Sequence, residues 1–308
     1  MRRSCAVYFL VGILSLSLIG CGGSSDSSGS KLSAKQRAQQ ALKDPVPESR
    51  AKALVRIGYE QSKAKDDYGS EETLRLASKA TAEIPDPAIR ASVWSMLADA
   101  HQRIGNRAEA RTAVQAALTA AEEVDNIESK ANALARAGRT QALTGDSSGA
   151  MKTLAEAERL AGELGDAYGE VLVLGATAAS YHKIGKPQQA DRVLATALQR
   201  GETIEDDLQR CQAISEVAAR QHDLEIPTAR ETFDLAVKTA REIEKDHAKA
   251  HALADLAEKL SKAGYHRQTH EILEEADQAA NKIPEPDLQR QTVERVRTLM
   301  GTLPLPAE

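Results

Sequence analysis

The chain has 308 residues, of which 42% are hydrophobic but only 3% aromatic, and 45 acidic residues against 40 Lys and Arg leave a net charge of −5. A core with so few aromatics must be thin and built from Ala, Leu, Ile and Val. The negative balance and the lack of a long basic block disfavour nucleic acid as a partner, and they disfavour charge-driven attraction to anionic lipid.

At the N-terminus, Arg2 and Arg3 precede an apolar run from Ala6 to Ile19 that is too short to span a membrane comfortably. The run ends in Leu18-Ile19-Gly20-Cys21. A basic start, a short apolar run and this tetrapeptide together resemble the lipobox of bacterial lipoprotein precursors. The resemblance implies a signal peptide over residues 1–20, cleavage before Cys21 and lipidation of Cys21. It also implies a place in the cell envelope, anchored to a membrane, with Gly22 in place of Asp pointing to the outer membrane. Residues 21–30, rich in Gly and Ser, read as a flexible tether. Cys5 would leave with the signal peptide, so Cys211 has no partner for a disulfide within the chain. It stands where other repeats have Ala, which predicts a small buried thiol.

From Pro47 onward the sequence repeats with a period of 40 residues. Lys65, Gly105, Gly145, Gly185, Glu225 and Gly264 are spaced 40, 40, 40, 40 and 39 apart, and the aliphatics Ile84, Val124, Leu164, Ile204, Ile243 and Ile283 are again 40 apart with one step of 39. Each period reads as two helices of about 17 residues with a turn between them. In the second period Asp86 caps the first helix, Pro87 opens it, Gly105 ends it and Asn106 caps the next. Eleven residues before the turn stand Leu54, Trp94, Leu134, Leu174, Ile214 and Leu253. Seven before it stand Gly58, Ala98, Gly138, Ala178, Ala218 and Ala257. Lys65 and Glu225 replace the turn glycine, which predicts degenerate turns in repeats one and five. A lone helix over Ser33 to Asp44 and a closing helix over residues 287–300 read as half-repeats that cap the two ends.

The order bulky, small, Gly turn, Ala, bulky, Ala resembles the tetratricopeptide repeat, with about six extra residues per unit. HEAT-like repeats share the period, but the spacing from turn Gly to Ala argues against them. The resemblance implies an all-α fold: a right-handed α-solenoid of about six TPR-like hairpins over residues 31–303. Repeats fall at 47–86, 87–126, 127–166, 167–206, 207–245 and 246–285, and residues 304–308 form a tail.

No grouping in the sequence carries catalysis. Glycines sit singly at helix ends, and no His-Glu-x-x-His, paired Cys or nucleophile elbow is present, so no enzyme activity and no cofactor are expected. His247 with His251, and His266 with His270, have metal-compatible spacing, but the pairs lie about 20 Å apart along their hairpin and no metal site is expected. In the resembled family the first helix of each hairpin lines a concave groove. Its surface positions lie thirteen, ten, six, three and two residues before the turn. Carried over, these give Asn132, Arg139 and Leu143 in repeat three, Leu172, Gly175, Ala179, His182 and Lys183 in repeat four, and His222 in repeat five, with Arg103 from repeat two. Gly175 inside a helix costs about 1 kcal/mol relative to Ala. Close approach of a partner, or tight packing on a neighbouring helix, would each account for it. The resulting expectation is a lipid-anchored scaffold of the bacterial envelope that holds a protein partner in this groove and a membrane through Cys21. The alternatives are a metal- or small-ligand-binding lipoprotein or enzyme accessory subunit, and a spacer.

Overall fold

A computed structural model describes residues 32–304; the expected signal peptide, Cys21 and the tether lie outside them. Among the described residues the chain forms helices only. A capping helix, α1 (Ala34–Ala41), precedes six hairpins. These are α2 (Pro47–Lys63) with α3 (Asp67–Ala82), α4 (Pro87–Arg103) with α5 (Arg107–Glu122), and α6 (Ile127–Leu143) with α7 (Ser147–Ala161). They continue as α8 (Ala167–Lys183) with α9 (Pro187–Glu202), α10 (Asp207–Asp223) with α11 (Ala229–Glu242), and α12 (Asp246–Lys262) with α13 (His266–Ala280). A last helix, α14 (Pro286–Thr302), closes the stack. This is the all-α solenoid of hairpins expected from the period.

Local chemistry sets the helix boundaries. Asp66, Asp86, Asn106, Asn126, Asp146, Asp166 and Asp206 each accept a backbone N–H of the following first turn. Pro47, Pro87, Pro187 and Pro286 occupy first helical positions, where a missing N–H costs nothing. All six hairpin turns share one conformation. The turn residue has positive φ: 79° at Gly105, 99° at Gly145, 75° at Gly185, 81° at Gly264, and also 63° at Lys65 and 57° at Glu225. In each, the next residue donates its N–H to the carbonyl five residues back, as in Asp66 to Gln61 (2.9 Å) and Ile226 to Gln221 (2.8 Å). The expectation of degenerate turns at Lys65 and Glu225 is therefore corrected. The hairpin packing and the six-to-one hydrogen bond impose the left-handed residue even where a side chain resists it. Replacing Glu225 by Gly is expected to raise stability by about 0.5–1 kcal/mol in a chemical denaturation series, because the strain goes while the geometry stays.

The predicted small-to-large register holds the hairpins together. Leu54, Leu74, Leu154, Leu194, Ile214, Phe233 and Leu253 are fully buried, opposite Ala51, Ala98, Ala117, Ala157, Ala197, Ala218 and Ala257. Gly58 is needed for closeness: a Cβ there would stand 2.8 Å from Cγ of Leu74. Cys211 is buried, its Sγ faces the carbonyl of Ala236 at 3.6 Å, and burial pushes its thiol up to about 12. It is thus an inert core residue.

Each first helix packs on its own second helix and also on the next first helix, from α2 to α4 through α12 to α14. Successive second helices make no comparable contact. Elements that are closer on one side than the other curve the stack. The first helices therefore form the inner, concave layer and the second helices the splayed outer one.

Candidate functional site

The inner layer presents the predicted groove, but not all of the predicted positions. Residues ten before the turn are buried: Val55, Ser95, Ala135 (1% exposed), Gly175, Ser215 and Ala254. The next first helix covers them with the residue five before its own turn. Ser180 donates its hydroxyl to the carbonyl of Ala135 at 3.0 Å, and Lys259 reaches Ser215 at 3.3 Å. Arg220 lies over Gly175, where a Cβ would meet Arg220 Cγ at 3.6 Å, an ordinary contact. Gly175 is therefore not a surface residue, and its neighbours leave room for an alanine.

The residues exposed in its place lie nine before the turn: Arg56, Met96, Arg136, and, half-buried, Ala176, Glu216 and Asp255. Together with positions thirteen, six and two before the turn they form one helical stripe, spaced four, three and four. Of the predicted residues, Asn132, Arg139, Leu172, Ala179, His182 and His222 are half-buried, while Arg103, Leu143 and Lys183 are exposed. They are distributed over four helices, from α4 to α10, and do not converge on one pocket. Arg103 is not a free charge: it sits 3.4 Å from Asp99 and its guanidinium covers the Tyr59 ring at 5.4 Å. His222 is edge-on to Tyr265 with centroids 6.0 Å apart.

Charge is unevenly placed along the stripe. In the last two repeats most of it is internally paired, leaving only Asp223 and Lys262, which are of opposite sign. Glu216 lies 3.2 Å from Arg220 and 3.5 Å from Lys259, and Asp255 takes His251 at 3.1 Å and Arg295 of α14 at 2.5 Å. Arg295 also reaches Glu258 at 3.4 Å. Burial raises the Asp255 carboxyl, but the hydrogen bonds from His251 and Arg295 outweigh it and hold the group below its ordinary value. In the first four repeats Arg56, Arg136, Arg139 and Lys183 have no carboxylate within 4.0 Å among the described residues. At the N-terminal end a cavity of about 300 Å³ opens between α2 and α4, lined by Val55, Arg56, Tyr59, Met96, Asp99, Ala100 and Arg103. Lys63 stands 4.7 Å above the Tyr59 ring. The stripe nine before the turn was legible in principle: it is the helical neighbour of positions thirteen and six.

No group of three or more His, Cys, Asp or Glu side chains among the described residues could hold a metal ion. His247 is exposed, His251 is engaged by Asp255, and the buried atoms His266 Nδ1 and His270 Nε2 have no hydrogen-bond partner. No described helix is long and apolar enough to cross a membrane.

One buried histidine does carry a pH signature. His101, four residues before its turn, is 3% exposed with Nδ1 unpartnered. Burial depresses its pKa below 6.5 against the opposing pull of Glu109 and Glu71. The folded state thus keeps it neutral, while the unfolded chain protonates near 6.5. Its contribution to stability is complete above pH 6.5 and is lost as pH falls below that value. The melting temperature is expected to drop between about pH 7 and pH 5, with a shallower slope in His101→Gln, the residue that repeats one, three and five use there.

The chain matches no protein-family model and no curated protein. Among solved structures it is similar to a Rap protein complexed with Competence and Sporulation Factor, at 14% identity and a TM-score of 0.35 over 87% of this chain and 84% of that one. It is similar to a kinesin light chain with nearly identical TPR-like repeats from Podosopora anserina, at 17% identity and a TM-score of 0.36 over 65% of this chain and 98% of that one. It is also similar to BtubC (BKLC) from P. vanneervenii, at 13% identity and a TM-score of 0.39 over 90% and 96%. Likenesses this distant carry nothing about ligand or activity; the fold rests on the helices described above.

Proposed function

We propose that the protein is a lipid-anchored interaction scaffold of the bacterial cell envelope, binding a protein partner along its concave face. The observation that carries this reading is the inner layer itself: one continuous surface, crossed by every first helix, with exposed side chains at regular helical spacing. Such a surface suits an extended or helical segment better than a small molecule, since its cavities are open and shallow. The anchor is supported by Leu18-Ile19-Gly20-Cys21 after a short apolar run. The Gly- and Ser-rich residues 22–30 would give the folded part reach from the membrane.

Two measurements test the two halves. Cys21→Ser is expected to block maturation or release the protein from membranes in its host; unchanged processing and attachment would remove the anchor. Cross-linking in the same cells is expected to lose partners when Arg139→Glu and Leu172→Glu are introduced together. Retention of every cross-linked partner would remove the groove.

A further inference from the structure

Resting on that reading of the groove, we propose that the partner presents an acidic segment, which lies across the first four repeats with an apolar side chain seated between α2 and α4. Desolvation decides which charge a partner on this face must carry. Arg56, Arg136, Arg139 and Lys183 are cations without a carboxylate in reach among the described residues. Most carboxylates on this part of the inner face are already taken, Glu60 by Arg37 at 2.6 Å, Glu48 by Lys52 at 2.6 Å and Asp99 by Arg103 at 3.4 Å, which leaves Glu128 alone against the four cations. A neutral or basic partner lying here would strip water from these cations and return nothing. A partner that brings carboxylates converts the same cations into charge-assisted hydrogen bonds, and arginine offers the bidentate form. In repeats five and six the situation is reversed. Glu216, Asp255 and Glu258 are already paired with Arg220, Lys259 and Arg295, and the exposed charges left on the stripe, Asp223 and Lys262, are of opposite sign, so that half of the face offers an acidic segment no excess of cations.

The apolar anchor follows from the cavity between α2 and α4. Its floor is Val55 and Ala100, and its wall is the exposed thioether of Met96. Tyr59 stands in it with Lys63 and Arg103 over its ring, so the pocket is apolar below and cationic at the rim. That combination fits an aliphatic side chain flanked by acids. Helix axes in contact lie about 8–10 Å apart, so four first helices span about 30 Å, the length of about nine or ten extended residues. A nucleic acid suits the face less well. Tyr59 is the one aromatic on the exposed stripe of the first four repeats, its ring is already occupied, and the net charge of −5 opposes a long polyanion.

The test uses the folded chain and labelled peptides of about twelve residues, read by fluorescence anisotropy at about 0.15 M salt. One peptide is Glu and Ser around a central Leu; the others replace Glu by Gln or by Lys, and a single-stranded DNA of equal length is included. The acidic peptide is expected to bind, to weaken at least about tenfold with Arg136→Glu plus Arg139→Glu, and to weaken when its Leu becomes Gly. Lys152→Glu plus Lys238→Glu on the outer helices is expected to leave binding unchanged, and circular dichroism checks that each variant is folded. The proposal is overturned if the acidic peptide does not bind, if the Lys peptide or the DNA binds as tightly, or if the outer substitutions matter as much as the inner ones. Should the Gln or Lys peptide bind and respond to the inner substitutions, the groove stands and its acidic partner falls. Should no peptide respond to them, both fall.

Discussion

Phe233→Ala is expected to destabilise the protein by about 3–5 kcal/mol. Phe233 is fully buried in α11 and meets the Tyr265 ring edge-on at 5.6 Å. It occupies the bulky position after the turn in the repeat of 39 residues, whose turn carries Glu225 and Pro227 and whose second helix begins at Ala229 without a side-chain cap. Each repeat touches only the next, so the loss falls on α10 to α13 and does not spread evenly. Urea unfolding followed by circular dichroism is expected to lose its single transition, with amide exchange rising first in α10 to α13. A loss under about 1 kcal/mol would show that the cavity collapses.

The second large effect is expected at Gly149. Asp146 accepts the Gly149 N–H at 2.9 Å with one carboxylate oxygen and the Gln141 amide at 2.7 Å with the other. Gln141 in turn accepts the Thr153 hydroxyl at 2.9 Å. A Cβ on Gly149 would collide with both Gln141 Nε2 and Asp146 Oδ2. Gly149→Ala must therefore displace a helix cap and leave a 9%-exposed amide without partners, a cost of about 2–3 kcal/mol. The same network joins Gln61, Asp66, Gly69 and Thr73 in repeat one. Gly175→Ala is the contrast: with room for its Cβ, it is expected to gain up to about 1 kcal/mol from helix propensity. Denaturation of the three proteins side by side measures both signs, and a destabilised Gly175→Ala would contradict the packing described for Arg220.

These cases show where sequence reasoning worked. The period, the helix ends and the buried Leu–Ala register could be read directly, because capping and 3.6-residue spacing are local properties. The Gln141–Asp146–Thr153 network could not, since it joins two helices through side chains whose directions depend on the hairpin. Lys65 and Glu225 misled for a related reason. Propensity ranks Gly first at a left-handed residue, yet the strain of another residue there is small beside the packing of a hairpin. One row of the expected face, ten before the turn, was misplaced by one residue. Positions taken from shorter repeats assigned Ala135 and Gly175 to the surface, whereas here the neighbouring helix covers them and exposes Arg136 and Ala176. Two of the four unpaired cations, Arg56 and Arg136, lie on that adjacent row.

The buried side chains group into three main clusters in series, and the walls between them are single elements. Val93 and Leu97 of α4 face the first cluster while Ala91 faces the second; Val217 of α10 faces the second while Ile214 and Ala218 face the third. Half-buried Trp94 and Leu118 touch the first two clusters, and Leu198 touches the second and third. Packing is therefore continuous from one cluster to the next, carried by side chains on opposite faces of α4 and α10. The second of these helices, α10, also stands where the inner face changes from mostly unpaired cations to mostly paired charges. A substitution at Val217 or Ile214 would therefore disturb the packing behind both parts of that face at once.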